Sequence, residues 1–204
     1  LWFYEQEILG QFKDTRGATF RHDVLQRVFD PSLPHNQGHK DGAIEVDGGD
    51  LGSKLTDAVG TMLRVEPDGT LTGVDALTLE RGGEHWPRIQ KAIEDRKHAW
   101  GSRLIYDGTG LGGVVKGNLR VNGEAFIFTR PSRFELILEL QETCESGRLR
   151  LPRPWTRHYW EMRKHTLNED SPGETWDHID SLMLAVHHAN ALRGRKAPNV
   201  AMVA

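Results

Sequence analysis

The chain has a single cysteine, Cys144, in 204 residues. An internal disulfide is therefore excluded, and a reducing compartment is the default expectation. No apolar run approaches the roughly 20 residues that cross a bilayer as a helix, so no membrane partner is expected. An excess of basic residues is also lacking: 26 Lys+Arg stand against 29 Asp+Glu, a net charge of −3. That argues against a protein coating nucleic acid over its whole surface, whose affinity would come from neutralising phosphates. It leaves room for an enzyme that holds DNA locally while an acidic pocket binds metal. The G-x-x-x-x-G-K-[ST] spacing of a phosphate-binding loop is missing too, because Gly52 is followed by Ser53-Lys54-Leu55. No ATPase motor is expected in this chain. Ten histidines are present, yet His187 and His188 are adjacent and no H-E-x-x-H occurs. With one thiol besides, nothing in their spacing points to zinc.

What remains is an ordinary globular composition, 37% hydrophobic and 27% charged, long enough for one domain with a sizeable core. Charge is uneven. Between residues 148 and 164 six cations (Arg148, Arg150, Arg153, Arg157, Arg163 and Lys164) face one acid, Glu161. A stripe of this kind either follows a phosphate backbone or forms a solvated face. Trp155 and Trp160 lie inside it and are the two tryptophans to test for stacking on DNA bases.

Residues 1–30 carry a roughly helical apolar stripe (Leu1, Phe3, Ile8, Leu9, Phe12), and PSLPHNQGHKDG at 31–42 reads as a loop. The run AIEV forms a strand ending at Asp47, followed by a glycine-rich loop. EPDG at 66–69 predicts an antiparallel hairpin between AVGTMLRV and LTGVDALTLE. EHWPRIQKAIEDRKHAW has helical spacing, RLIYDG is a strand running into glycine, GLGGVVKGNLR starts a helix and AFIFT is a fifth strand. Pro131 and Gly147 bracket an amphipathic helix; RLRLP is a short strand; a long apolar helix spans residues 176–194. Strands followed by alternating helices and strands predict an α/β domain with a central mixed sheet of about five strands flanked by helices.

Three acids share one context. Asp47 and Asp107 end apolar strands just before glycine, and Asp177 opens the last helix. Carboxylates brought together repel unless a cation lies between them, and oxygen-only ligation suits Mg²⁺ or Mn²⁺. Taken singly, an Asp before Gly is a turn residue and an Asp at a helix start is a cap. For the first acid Asp50 and Asp57 are nearby alternatives; Asp47 is preferred because it directly ends the strand.

The motif series YDGTGLGGVVKGNLR, FIFTRPSRFELILEL, ESGRLRLP and WDHIDSLMLAVHHA resembles the C-terminal nuclease of phage terminase large subunits. FYEQEILGQFKDTRGATF and VDGGDLGSKLTDAVGTML extend the resemblance over residues 3–192. It implies a ribonuclease-H-like fold and a two-metal-ion endonuclease using two Mg²⁺ or Mn²⁺ ions. Its substrate would be concatemeric double-stranded DNA, cut during genome packaging in the cytoplasm of an infected bacterium. By position, Asp47, Asp107 and Asp177 become the catalytic metal ligands. Where the family has an Asp-Asp pair this chain has Trp176-Asp177, so Asp180, one turn on, is a substitute or fourth ligand. The usual Lys after Ser is Arg133, which joins Arg148, Arg150, Arg153 and Arg157 as DNA-binding candidates. The resemblance further implies a packaging ATPase domain preceding this chain, with the small terminase subunit and the portal as partners. Residues 1–40 are then the lead-in, 41–194 the nuclease domain and 195–204 a tail; the start at LWFYEQEILGQF fits a piece of something longer. Two other readings stay open. A junction resolvase or transposase core has the same fold and carboxylates, and an actin-like phosphotransferase also uses Asp-Gly-x-Gly loops but needs about twice the length.

Overall fold

The computed structural model describes residues 17–52, 56–81, 85–109, 119–166 and 175–195. The expected N-terminal stripe, most of the helix predicted from GLGGVVKGNLR, residues 53–55 and the end of the tail lie outside them. In chain order the elements are α1 His22–Val28, β1 Phe29–Asp30, β2 Ile44–Asp50, β3 Ala58–Val65, β4 Leu71–Leu79 and α2 His85–Trp100. They continue with β5 Arg103–Asp107, β6 Gly123–Phe126, α3 Arg130–Glu145, β7 Leu149–Pro152, α4 Thr156–Lys164 and α5 Asp177–Arg195.

The predicted hairpin forms: Gly69 N donates to Glu66 O and Glu66 N to Thr70 O, both at 2.9 Å, turning β3 back into antiparallel β4. The sheet runs β1-β7-β4-β3-β2-β5-β6. β2, β3 and β4 form an antiparallel meander, and β5 and β6 add parallel strands on the far side of β2. This is the mixed, helix-flanked sheet of the ribonuclease-H-like fold, with seven strands rather than about five. The two extra strands, β7 and β1, are short and extend the sheet beyond β4 in parallel. Residues before 41 take part as well. Phe20, Val24, Leu25, Val28 and Phe29 lie in the main core with α3, α4 and α5.

Helix α5 is the spine of that core. Ile179, Leu182, Met183, Leu184, Ala185, Val186 and Ala189 are all fully buried, as a helix apolar on nearly every side must be. Helix α2 covers the opposite face, where Ile89 and Ile93 meet Leu51, Ala58, Leu104 and Tyr106. Helix α3 begins as predicted. Thr129 and Ser132 form a reciprocal capping box next to Pro131, and Gly147 closes the helix at φ +71.

Strand β2 departs from expectation. It continues through Asp47-Gly48-Gly49 to Asp50, because a central strand is hydrogen-bonded on both sides, here by β3 and β5. The glycines belong to the strand for a packing reason. A Cβ on Gly48 would stand 2.2 Å from Ser181 O and 2.5 Å from Ala185 N, so only glycine lets α5 lie flush on the sheet.

Candidate metal centre

Successive residues of a strand face opposite sides of a sheet, and this parity sorts the acids of β2. Gly48 faces α5, hence Asp50 does too, while Asp47 faces α2. There Arg96 grips Asp47 through two hydrogen bonds, Nε to Oδ2 at 3.1 Å and Nη2 to Oδ1 at 3.0 Å. Its other nitrogen, Nη1, binds Asp75 of β4, level with Asp47 across Met62. Asp47 is 3% exposed and both its carboxylate oxygens accept from Arg96. It therefore does not join Asp107 and Asp177, as its expected place at a strand end had implied. Asp50 does, because it is the residue that actually ends the strand.

On the α5 face four carboxylates converge. Asp107 ends β5 on the same side as the buried Ile105, and its Oδ1 accepts from Thr109 N at 2.7 Å. Asp50 Oδ1 accepts from Gly52 N at 2.9 Å. Asp177 and Asp180 occupy the first turn of α5. Burial pushes the Asp50 carboxyl up to about 7, the Gly52 amide opposes this, and the nearby charges of Asp177 and Asp107 raise it further. Asp180 goes up to about 8, first through burial and then, against Arg133, through Asp50, Asp107 and Asp177. Asp177 is half-buried and also raised, chiefly by burial, with Thr175 opposing and Glu161 adding to it.

Arg133, at the start of α3, is the one sequence-selected cation in this group. Its Nη2 stands 2.8 Å from Asp180 Oδ1 but off the line of a hydrogen bond, so that buried oxygen has a cation beside it and no donor aimed at it. The guanidinium also lies over the Phe128 ring, 5.9 Å from its centroid. Among the described residues no three acidic, histidine or cysteine side chains already stand at metal-ligand spacing. The donor set nevertheless suits a hard divalent cation. It is all oxygen and crowded with like charge, burial raises the carboxyls of Asp50, Asp177 and Asp180, and one buried oxygen of Asp180 lacks a donor.

The cations of residues 148–164 do not form one stripe. Arg150 pairs with Asp30 and lies in β7 beside Thr72, at the end of the sheet where β2 begins. Asp50 is at the other end, six residues or ~20 Å along the strands. Arg148 is at that far end too, donating from Nη1 to Asn190 Oδ1 at 3.0 Å. Arg157, by contrast, is on α4 at the acidic end and pairs with Asp57 at 3.1 Å. Arg153 is exposed. Trp155 is buried and donates to His35 O at 3.1 Å, whereas Trp160 is 53% exposed.

Asp50, weighed in the sequence as an alternative to Asp47, is favoured by parity, since it shares its face with the small residue Gly48. One feature went unread. Glu161 gave no local signal. It reaches from α4 to the start of α5, where its Oε2 accepts from His178 N at 3.0 Å and Ile179 N at 3.1 Å.

No family model and no curated protein sequence matches the chain. Solved structures do. The large terminase nuclease from thermophilic phage G20c with bound magnesium superposes with a TM-score of 0.72 at 15% identity, over 85% of this chain and 98% of that one. The chain has the fold of a phage large terminase nuclease. The nuclease domain of the large terminase of Thermus phage P74-26 gives a TM-score of 0.64 at 15% identity, covering 79% of this chain and 91% of that one. A longer large terminase, from another thermophilic bacteriophage, gives 0.59 at 15% identity, covering 92% of this chain and 49% of that terminase. The terminase nuclease from G20c has also been solved with zinc and with cobalt. Among the described residues no helix is long and apolar enough to cross a membrane.

Proposed function

We propose that this chain is the metal-dependent nuclease domain of a terminase large subunit, an endonuclease cutting concatemeric double-stranded DNA during viral genome packaging in the host cytoplasm. The observation that carries the reading is the convergence of Asp50, Asp107, Asp177 and Asp180 at one end of the sheet, in a fold whose solved examples include a magnesium-bound nuclease.

Asp50, Asp107 and Asp180 are the residues we assign as ligands for Mg²⁺ or Mn²⁺, two ions in all, with Asp177 at the rim. Asp50 takes the role the sequence had suggested for Asp47. The chemistry such ions supply when bound is activation of a water and stabilisation of the leaving oxygen in phosphodiester hydrolysis. The protein's own part is to hold the carboxylates on rigid elements, two strand ends and a helix start, with Asp50 and Asp180 giving up their protons on loading. Arg133 supplies a cation that an incoming phosphate can share with Asp180. Arg157 and the exposed Trp160 lie on α4, which touches the first turn of α5 through Glu161. After Arg133 they are the groups we assign to holding DNA. A packaging ATPase domain, the small subunit and the portal complete the reading as partners; the longer bacteriophage terminase, about twice the length of its matching segment, supports a larger parent chain.

The test is incubation of supercoiled plasmid with Mn²⁺ and no nucleotide. Nicking that EDTA stops and that a folded Asp107→Asn protein lacks is the expected result. Undiminished cleavage by folded Asp107→Asn would overturn the assignment.

A further inference from the structure

Helix α5 takes partners for its first amides from outside itself. The residue ahead of Asp177 is Trp176, whose side chain has no acceptor, yet the first amides of the helix require partners. They are supplied by another helix. Glu161 of α4 takes the His178 and Ile179 amides on Oε2, and its Oε1 lies 2.5 Å from His178 Nδ1. A carboxylate at a helix start also meets the positive end of the helix dipole.

The clamp continues inward. His178 Nε2 is 3.2 Å from Thr78 Oγ1 of β4, and its ring meets the buried His158 ring edge-on at 4.9 Å. His158 Nε2 is 2.9 Å from Thr61 Oγ1 of β3, and Thr61 Oγ1 also bonds Ser181 Oγ. Residues 178, 179 and 181 are thus each tied to α4 or to the sheet. Asp177 and Asp180, interleaved with them in the same turn, carry the carboxylates of the candidate metal centre.

We propose that Glu161 is a positioning residue for the metal centre: by capping α5 from outside, it fixes where Asp177 and Asp180 stand relative to Asp50 and Asp107. Glu161 acts through the helix and not as a ligand. This rests on the metal reading above, and it deepens it by naming a residue that sets ion affinity from outside the ligand set. Groups that orient metal ligands typically change affinity 10- to 100-fold when removed. A cap that served stability alone would lower the unfolding midpoint and leave affinity untouched.

The experiment compares wild type, Glu161→Ala and Glu161→Asp by Mn²⁺ titration calorimetry, urea unfolding and amide hydrogen exchange. Glu161→Asp keeps the charge but shortens the reach, so it remains informative if Glu161→Ala does not fold. The expected result for Glu161→Ala is exchange accelerated within residues 177–181 and Mn²⁺ affinity weakened about tenfold or more. Glu161→Asp should show a smaller loss in the same direction. Folded variants that bind Mn²⁺ as tightly as wild type would overturn the proposal alone. Wild-type protein that binds no Mn²⁺ would overturn the metal reading and this proposal with it.

Discussion

Asp47 and Asp50 are three residues apart on β2 and meet opposite conditions. Below the sheet, Asp47 shares Arg96 with Asp75, two carboxylates on one guanidinium with Asn36 completing Asp75 at 2.9 Å. Above it, Asp50 faces Asp107, Asp177 and Asp180, with the Arg133 guanidinium beside Asp180. The first group is closed: its donors and acceptors are matched within the protein. The second is open, with more negative charge than the protein answers. Buried carboxylates that a protein leaves unanswered are a signature of a site completed from outside, whereas an answered acid is part of the scaffold.

The largest expected effect comes from breaking the closed group. Asp47→Ala leaves Arg96 buried with half its partners and should destabilise the fold by about 3–5 kcal/mol, read as a fall in the urea midpoint. Asp50→Asn should cause no such loss while abolishing Mn²⁺ binding. Equal destabilisation by both would erase the distinction between the two faces.

Next in size is packing. Gly48→Ala brings a methyl against Ser181 O and Ala185 and should destabilise by about 1–3 kcal/mol. It should also weaken Mn²⁺ binding, because lifting α5 moves Asp180 away from Asp50. A variant with wild-type stability would mean that α5 does not depend on this close approach.

A subtler test uses pH on the metal-free protein. Asp180 is held near 8 and Asp50 near 7 in the fold, against an ordinary 3.8. Between about pH 4 and 8 the folded state therefore holds protons that the unfolded chain has released. Their contribution is fullest at low pH and declines as pH rises through that window. From pH 5 to pH 8 in EDTA, wild type should lose on the order of 1–2 kcal/mol more stability than Asp180→Asn. Excess Mn²⁺ should reverse the loss. Parallel pH profiles for the two proteins would contradict the open character of this face.

Much of this fold was legible in the sequence because its signals are local. The EPDG turn, the Pro131–Gly147 brackets and the apolar run of α5 each act within a few residues. The helix α4 was not read, since its residues look like a charge stripe and its buried side, His158 and Met162, is defined by contacts with distant elements. The acids show the same divide. Asp107 and the first turn of α5 were singled out from strand-end and helix-start context. Asp47 was preferred over Asp50 because Gly48-Gly49 looks like a loop, and only the close approach of α5 explains glycines inside a central strand. The basic run from Arg148 to Lys164 is continuous in sequence but split in space, since β7 and α4 carry its parts to different ends of the sheet.

That split supplies the smallest predicted effect. Arg157→Ala should lower the slope of DNA affinity against salt by about one, the change expected for one lost phosphate contact. Arg150→Ala, paired to Asp30 at the far end, should leave the slope unchanged. The reverse pattern would move the DNA path away from the acidic end of the sheet.

The most direct measurement is a crystal of this chain soaked in Mn²⁺, with the ions located by anomalous scattering. The account predicts density at ligand distance from the carboxylates of Asp50, Asp107 and Asp180, with Arg133 moved off Asp180 and Asp47 still bound to Arg96. Density at Asp47, or ions bound elsewhere with Asp50 and Asp180 uncoordinated, would contradict it.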